Sequence, residues 1–297
     1  MQKSLLYRFN IYQKKRFPFA VLIFTTLAII LSSSAVLKQD ISENFFNLIL
    51  ILIFSLSYLF HIRVRDEDRD FEDDSKYHKD RPVQSKIISL KELRIIDYLF
   101  LSISTILVGV FFYEALLFFL VGIIFIFFSS RDFFIRKKIL NKMVLYHFLN
   151  SVQMIFLLLF IYKMIFPLFA FNINLFIHII FVQICIFLIE IVRKTDLSKY
   201  NDYKSGSYLS YLGRTKLKWM LYLLVLLMLL FFYQIVFYLN NNLFLYLPAL
   251  ILFIGLIYFI SKIFIKKEIK NNKKLILFSL VYYMALNLLI FFAGISI

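Results

Sequence analysis

Apolar runs of membrane-spanning length recur nine times along this chain and leave it little else to fold into. A helix that crosses the hydrocarbon core needs about 20 mostly apolar residues. Windows of that kind fall at 17–36, 44–62, 95–112, 114–130, 143–163, 173–192, 217–237, 245–263 and 275–295. The narrowest division is Phe111–Glu114, where two short spans must turn almost without a loop; one longer, broken helix is the competing reading. Hydrophobic residues make up 62% of the 297, with 38 Phe against 6 Gly and 4 Pro. A soluble domain of this size has no core large enough to hide that much apolar mass, which excludes an ordinary cytosolic enzyme and a disordered chain alike. The single cysteine, Cys185, lies inside an apolar run, so the sequence carries neither a disulfide framework nor a Cys-based metal site.

The basic residues set the orientation. Of 34 Lys and Arg, 32 fall in the N-terminal segment or after spans two, four, six and eight, while the opposite side holds Lys38 and Lys163. This is the positive-inside pattern. It predicts an integral multi-pass protein with a cytoplasmic N-terminus and a C-terminus across the membrane, here an inner membrane of bacterial type. The net charge of +16 then has a membrane meaning, with Lys266, Lys267, Lys270, Lys273 and Lys274 as headgroup anchors to the lipid bilayer. No soluble domain presents a basic face, so nucleic acid is not expected as a partner. Met1–Arg16, an apolar stretch and Ser32-Ser33-Ser34-Ala35 together resemble a cleavable signal. The stretch continues through Val36 and Leu37, so the first helix is expected to be retained. With no Gly/Ser linker and no low-complexity tail, residues 1–297 read as one membrane domain.

The acidic residues follow a different rule. Seven of the 18 Asp and Glu fall within nine positions directly after span two: Asp66, Glu67, Asp68, Asp70, Glu72, Asp73 and Asp74. If the helix runs a turn or two beyond the membrane, Asp66, Asp70 and Asp74 share one face, flanked by Glu67 and Asp73. Like charges at that spacing destabilise a helix, so something positive must offset them. A solvated acidic loop balanced by Arg63, Arg65, Arg69, Lys76 and Lys79 is the simpler reading. Topology, however, does not account for carboxylates, and oxygen ligands without Cys or clustered His suit Mg²⁺ or Mn²⁺. Mg²⁺ commonly binds one or two carboxylates together with substrate phosphates, so a carboxylate array beside a membrane points to a diphosphate held through metal ions.

A second acidic stretch follows span six, with Glu190, Arg193, Lys194, Asp196, Lys199 and Asp202. Glu190 gains nothing from the positive-inside bias; a salt bridge to Lys194, four residues on, explains it equally well. Two acidic clusters four spans apart, on the same face of the membrane, resemble the UbiA superfamily of intramembrane prenyltransferases. Its first motif, N/D-D-x-x-D-x-x-x-D, is matched by Asp66-Glu67-Asp68-Arg69-Asp70-Phe71-Glu72-Asp73-Asp74. Its R-P-x-x-S-G-x-I-S stretch is matched by Arg81-Pro82-Val83-Gln84-Ser85-Lys86-Ile87-Ile88-Ser89. Asp202, Gly206, Ser207, Ser210 and Gly213 fit the looser second motif, and Arg16-Phe17-Pro18 fits the basic-residue–Pro start before span one. Asp66 stands where Asn is usual, Glu67 where Asp is usual and Lys86 where Gly is usual. Glu190 and Arg193-Lys194 replace an Asp and a Tyr-containing stretch.

The resemblance implies an all-α fold of nine transmembrane helices around a central cavity open to the cytoplasmic side. It also implies Mg²⁺-dependent transfer of a prenyl group from a polyprenyl diphosphate to a small or lipid-like acceptor. That acceptor would be an aromatic quinone precursor, a tetrapyrrole, a glycerol-phosphate ether or a phosphoribosyl compound. Charge accumulates on diphosphate as the allylic C–O bond breaks, and bridging metal ions with cationic donors stabilise it. On this reading Asp66, Asp70, Asp74 and Asp202 hold metal, while Arg81, Arg193, Lys194 and Lys199 donate to the diphosphate. Glu190 and Asp196 are the expected catalytic carboxylates, Glu190 deprotonating or orienting the acceptor. His61, His78, His147 and His178 lack ligand spacing and read as structural. A cation transporter is the alternative, but transporters place ion sites near the bilayer midplane, and here the span centres are apolar. The D-G-x-x-A-R pattern of alcohol phosphatidyltransferases is absent.

Overall fold

A computed structural model describes residues 4–39, 45–134, 143–195, 207–240, 242–266 and 270–295, and every regular element among them is helical. The helices are α1 (Leu5–Arg16), α2 (Phe19–Leu37), α3 (Phe45–Tyr77), α4 (Leu90–Phe111), α5 (Tyr113–Ser130), α6 (Met143–Ser151), α7 (Gln153–Ile165), α8 (Ile173–Arg193), α9 (Tyr208–Leu239), α10 (Tyr246–Lys266) and α11 (Lys270–Ile295). Among the described residues, nine helical stretches are long and apolar enough to cross a membrane, and they coincide with the nine windows read from hydropathy. The chain is an all-α, multi-pass membrane protein.

One division between spans stands where hydropathy places it, and one break inside a span does not show in hydropathy. Phe112 alone separates α4 from α5; its N–H donates to the Val108 carbonyl and its backbone leaves the helix at φ −141°. The two helices pack on each other, so this stretch holds two spans, not one bent helix. Span five is interrupted at Val152, between α6 and α7. There the Ser151 hydroxyl donates back to the Phe148 carbonyl and accepts from the Gln183 amide, a side-chain partner that helps satisfy the polar groups freed by the break.

The chain gathers into two compact units. In one, which takes in residues 1–27, 41–138 and 156–168, helices α3, α4 and α5 pack together. A buried cluster of Tyr12, Phe17, Phe60, Val64, Val83, Ile88 and Leu93 ties α1, α3, the turn after α3 and α4 into one body. Phe17 meets Phe60 edge-on at 5.3 Å. The α1 helix is further latched by Arg8, which donates to Glu92 at 2.6 and 2.8 Å, while Glu92 also closes the capping box of α4 with Ser89. Deeper in this unit His61 of α3 and Asp97 of α4, both buried, pair at 2.9 Å.

The other unit, residues 28–40, 139–155 and 169–297, is built on α8, α9, α10 and α11, with α6 against α8. A buried polar chain crosses it: His178 Nε2 lies 3.1 Å from Ser32 Oγ, which donates to Asn287 Oδ1 at 2.7 Å. Such interhelical bonds hold helices together in an apolar medium. Gly294 of α11 lies so close to α2 that a Cβ there would fall 2.6 Å from the Ala35 Cβ, a contact open only to the smallest residue.

Candidate functional site

Helix α3 continues through the whole acidic segment to Tyr77, so Asp66, Asp70 and Asp74 lie on a helix and not in a solvated loop. Acidic residues near a helix C-terminus oppose the negative end of its dipole as well as each other. Arginines supply the offset. Three of the five basic residues of the simpler reading, Arg63, Arg65 and Arg69, do pair with the segment. Three more reach it from outside α3: Arg16 of α1, Arg81 of the following turn, and Arg94 of α4, which donates to Asp68 at 3.0 Å.

Two environments result. Asp66 and Asp70 are partly exposed and converge on one guanidinium: Arg69 Nη2 is 2.8 Å from Asp66 Oδ1, and Arg69 Nε is 2.9 Å from Asp70 Oδ1. Asp132, buried in a left-handed turn after α5, approaches the same Arg69 Nε at 3.9 Å. Glu67 and Asp74 face inward instead. Glu67 accepts from Arg16 Nε at 2.8 Å and from Arg63 at 2.5 Å. Asp74 accepts from Arg81, with Arg16 at 3.8 Å. Burial first, then the neighbouring Arg63 guanidinium, lowers the Arg16 pKa below the usual arginine value, and Arg81 adds to the same push. Arg63 is also drawn to Asp66, so Arg16, Arg63 and Arg81 are set against three carboxylates, Asp66, Glu67 and Asp74.

In the second unit Glu190 is an ion-pair partner. It accepts from Arg193 at 2.8–3.0 Å and lies 3.0 Å from Lys194 Nζ. Lys194 also sits 3.1 Å from the His147 ring, which stacks obliquely on Tyr208 at 5.4 Å. Asp196, Lys199, Asp202 and Gly206 lie outside the described residues. An apolar cavity of about 370 Å³, lined by Val144, Leu145, Phe148, Phe187 and Tyr211, shares α6, α8 and α9 with this cluster. Within α9, Gly213 takes φ 74° and ψ 169°, a conformation essentially reserved for glycine. It separates a short initial turn, capped by Ser207, from the rest of the span.

No protein-family model matches the chain, and no curated protein matches it in sequence. In three dimensions it matches a solved digeranylgeranylglyceryl phosphate synthase with a TM-score of 0.64 at 17% identity, covering 98% of this chain and 100% of that one. That enzyme is a UbiA-superfamily intramembrane prenyltransferase. This chain has the UbiA-type fold. Two motif positions of the UbiA pattern acquire a physical reading from it. Lys86, where the pattern carries Gly, has a left-handed backbone with φ 59°. Glu67, where the pattern carries Asp, has turned inward to hold Arg16 and Arg63.

As a metal site, the UbiA-type first motif offers a pair of carboxylates. Asp66 and Asp70 already share one cation, and a carboxylate pair is a ligand set that a hard divalent ion takes when waters and phosphate oxygens complete its shell. Among the described residues no three His, Cys, Asp or Glu side chains group to hold a metal. Sequence reasoning passed over Asp132 and His147 as site members. Asp132 had a signal, because like Glu190 it is a carboxylate at the end of an apolar span, where topology gives it no role.

Proposed function

We propose that this chain is a UbiA-type prenyltransferase that moves a prenyl group from a polyprenyl diphosphate to a small or lipid-like acceptor within the membrane. One observation carries the reading: a full-length UbiA-type fold bears, at the end of its second span, two aspartates converging on a single cation. Asp66 and Asp70 would hold Mg²⁺ or Mn²⁺; Asp202, the ligand expected from the second motif, lies outside the described residues. Such an ion, when bound, neutralises charge on the departing diphosphate.

The chain's own residues supply the rest. Asp74 aims the Arg81 guanidinium, a two-pronged donor suited to diphosphate oxygens. Glu190 fixes Arg193 and Lys194, which suit a phosphate of the donor or the acceptor. An ion-paired Glu190 is a poor base, so its part is to hold these cations in place. The basic loops, and with them both motifs, face the cytoplasm. The structural neighbour is a digeranylgeranylglyceryl phosphate synthase, which supports a phosphorylated lipid as a candidate acceptor beside a quinone precursor.

The test uses purified protein, labelled prenyl diphosphates of several chain lengths, and either an isoprenyl glyceryl phosphate or an aromatic quinone precursor. The expected result is diphosphate release that requires an acceptor and Mg²⁺ and stops when the metal is chelated. Absence of release with every donor and acceptor pair would overturn the proposal.

A further inference from the structure

We propose that Arg69 is a built-in competitor for the divalent ion, a tethered cation that lies between Asp66 and Asp70 and sets how much free metal is needed to displace it. The need for a metal rests on the prenyltransferase reading; the role of Arg69 rests on its geometry. Arg69 is three residues after Asp66 and one before Asp70 on the same helix. Its Nη2 is 2.8 Å from Asp66 Oδ1 and 3.5 Å from Asp70 Oδ2, and its Nε is 2.9 Å from Asp70 Oδ1. Its side chain is only 12% exposed, against 28% and 44% for the two carboxylates it bridges. The cation is thus the most enclosed member of the trio. A second cation cannot take the same oxygens while the guanidinium holds them, because like charges at such distances repel strongly in a partly desolvated site.

The structure also provides a place for Arg69 to go. Asp132 Oδ1 stands 3.9 Å from Arg69 Nε, just beyond hydrogen-bond reach. Its carboxylate is buried and held by three consecutive left-handed residues, Asp132, Phe133 and Phe134, with φ of 50°, 53° and 58°. L-residues rarely adopt that backbone, and here it brings the Asp132 carboxylate toward the same Nε that donates to Asp70. A small swing of the Arg69 side chain exchanges Asp66 and Asp70 for Asp132 without leaving the guanidinium unpaired. The apparent metal affinity then falls by the fraction of molecules in which Arg69 occupies the aspartates. A diphosphate, which adds negative charge beside the ion, shifts that balance toward metal, so loading of the ion follows arrival of the donor.

Mn²⁺ alone, titrated into the full-length protein in detergent and followed by the resonance signal of the free ion, reads the competition without any turnover. Arg69→Gln should bind Mn²⁺ roughly tenfold more tightly than the wild type, since one unit charge has been removed a few ångströms from the ion. Arg69→Lys, which keeps the charge but loses the two-pronged fork, should fall between them and carries the comparison if the Gln variant does not fold. Asp132→Asn should weaken binding below wild type. Equal half-saturation in wild type, Arg69→Gln and Arg69→Lys, with binding lost in Asp70→Asn, would leave the ion site standing and overturn the competition. Failure of all of them to bind Mn²⁺ would overturn the metal reading itself, and the role of Arg69 with it.

Discussion

Lys86 sits in the turn that follows Arg81-Pro82, where its N–H donates to the Val83 carbonyl and its backbone takes φ 59°. A Cβ in that region crowds the following carbonyl, at a cost of about 1–2 kcal/mol for an L-residue. The sequence shows that Lys86 departs from the glycine of the UbiA motif, but only the backbone angle explains why glycine is usual there. Lys86→Gly is therefore expected to stabilise the protein by about 1 kcal/mol, read from its unfolding in detergent. An unchanged or lower stability would mean that the turn is held without strain. Glu67 teaches the opposite lesson. Its identity is legible as an acidic motif residue, yet its burial against Arg16 and Arg63 is set by a partner 51 positions away, which no local pattern announces.

At the scale of elements, the four-residue spacing suggested one helical face for Asp66, Asp70 and Asp74, but Asp74 turns inward with Glu67, and whether the helix persists that far was not readable. Persistence depends on Arg16, Arg81 and Arg94, which come from α1, the turn after α3 and α4. The division at Phe112 was readable as a boundary between two apolar runs, whereas the break at Val152, which no Gly or Pro marks, was not. Gly213 is the exception, a glycine whose position in the second motif coincides with a backbone only glycine adopts comfortably. Nothing lies within 4 Å of the Cβ position there, so an added methyl meets no neighbour. Gly213→Ala should cost about 1–3 kcal/mol through backbone strain alone. A neutral outcome in an unfolding titration would show that the break in α9 does not depend on that angle.

For the whole molecule, the nine spans were legible because the bilayer requires long apolar helices, and hydropathy reports them directly. How the helices gather into two units was not, since apolar side chains facing lipid and apolar side chains facing protein look alike in sequence. Orientation rests on the basic-residue bias and is open to labelling from either side of the membrane. Cysteines introduced as Lys14→Cys and Lys79→Cys should react with an impermeant maleimide only from the cytoplasmic side, and Lys38→Cys only from the other. The reverse pattern would place both acidic clusters in the wrong compartment for a cytoplasmic diphosphate.

On the proposed reading, Asp66 and Asp70 grip a divalent ion so that a prenyl diphosphate can ionise. Its most direct test compares Mg²⁺-dependent diphosphate release in Asp70→Asn with that in Asp68→Asn, whose carboxylate pairs with Arg94 away from the shared cation. Loss of roughly a hundredfold or more is expected in the first, as for removal of a group that stabilises transition-state charge, with near wild-type release in the second. Equal rates in the two variants would mean that Asp70 holds no ion needed for turnover.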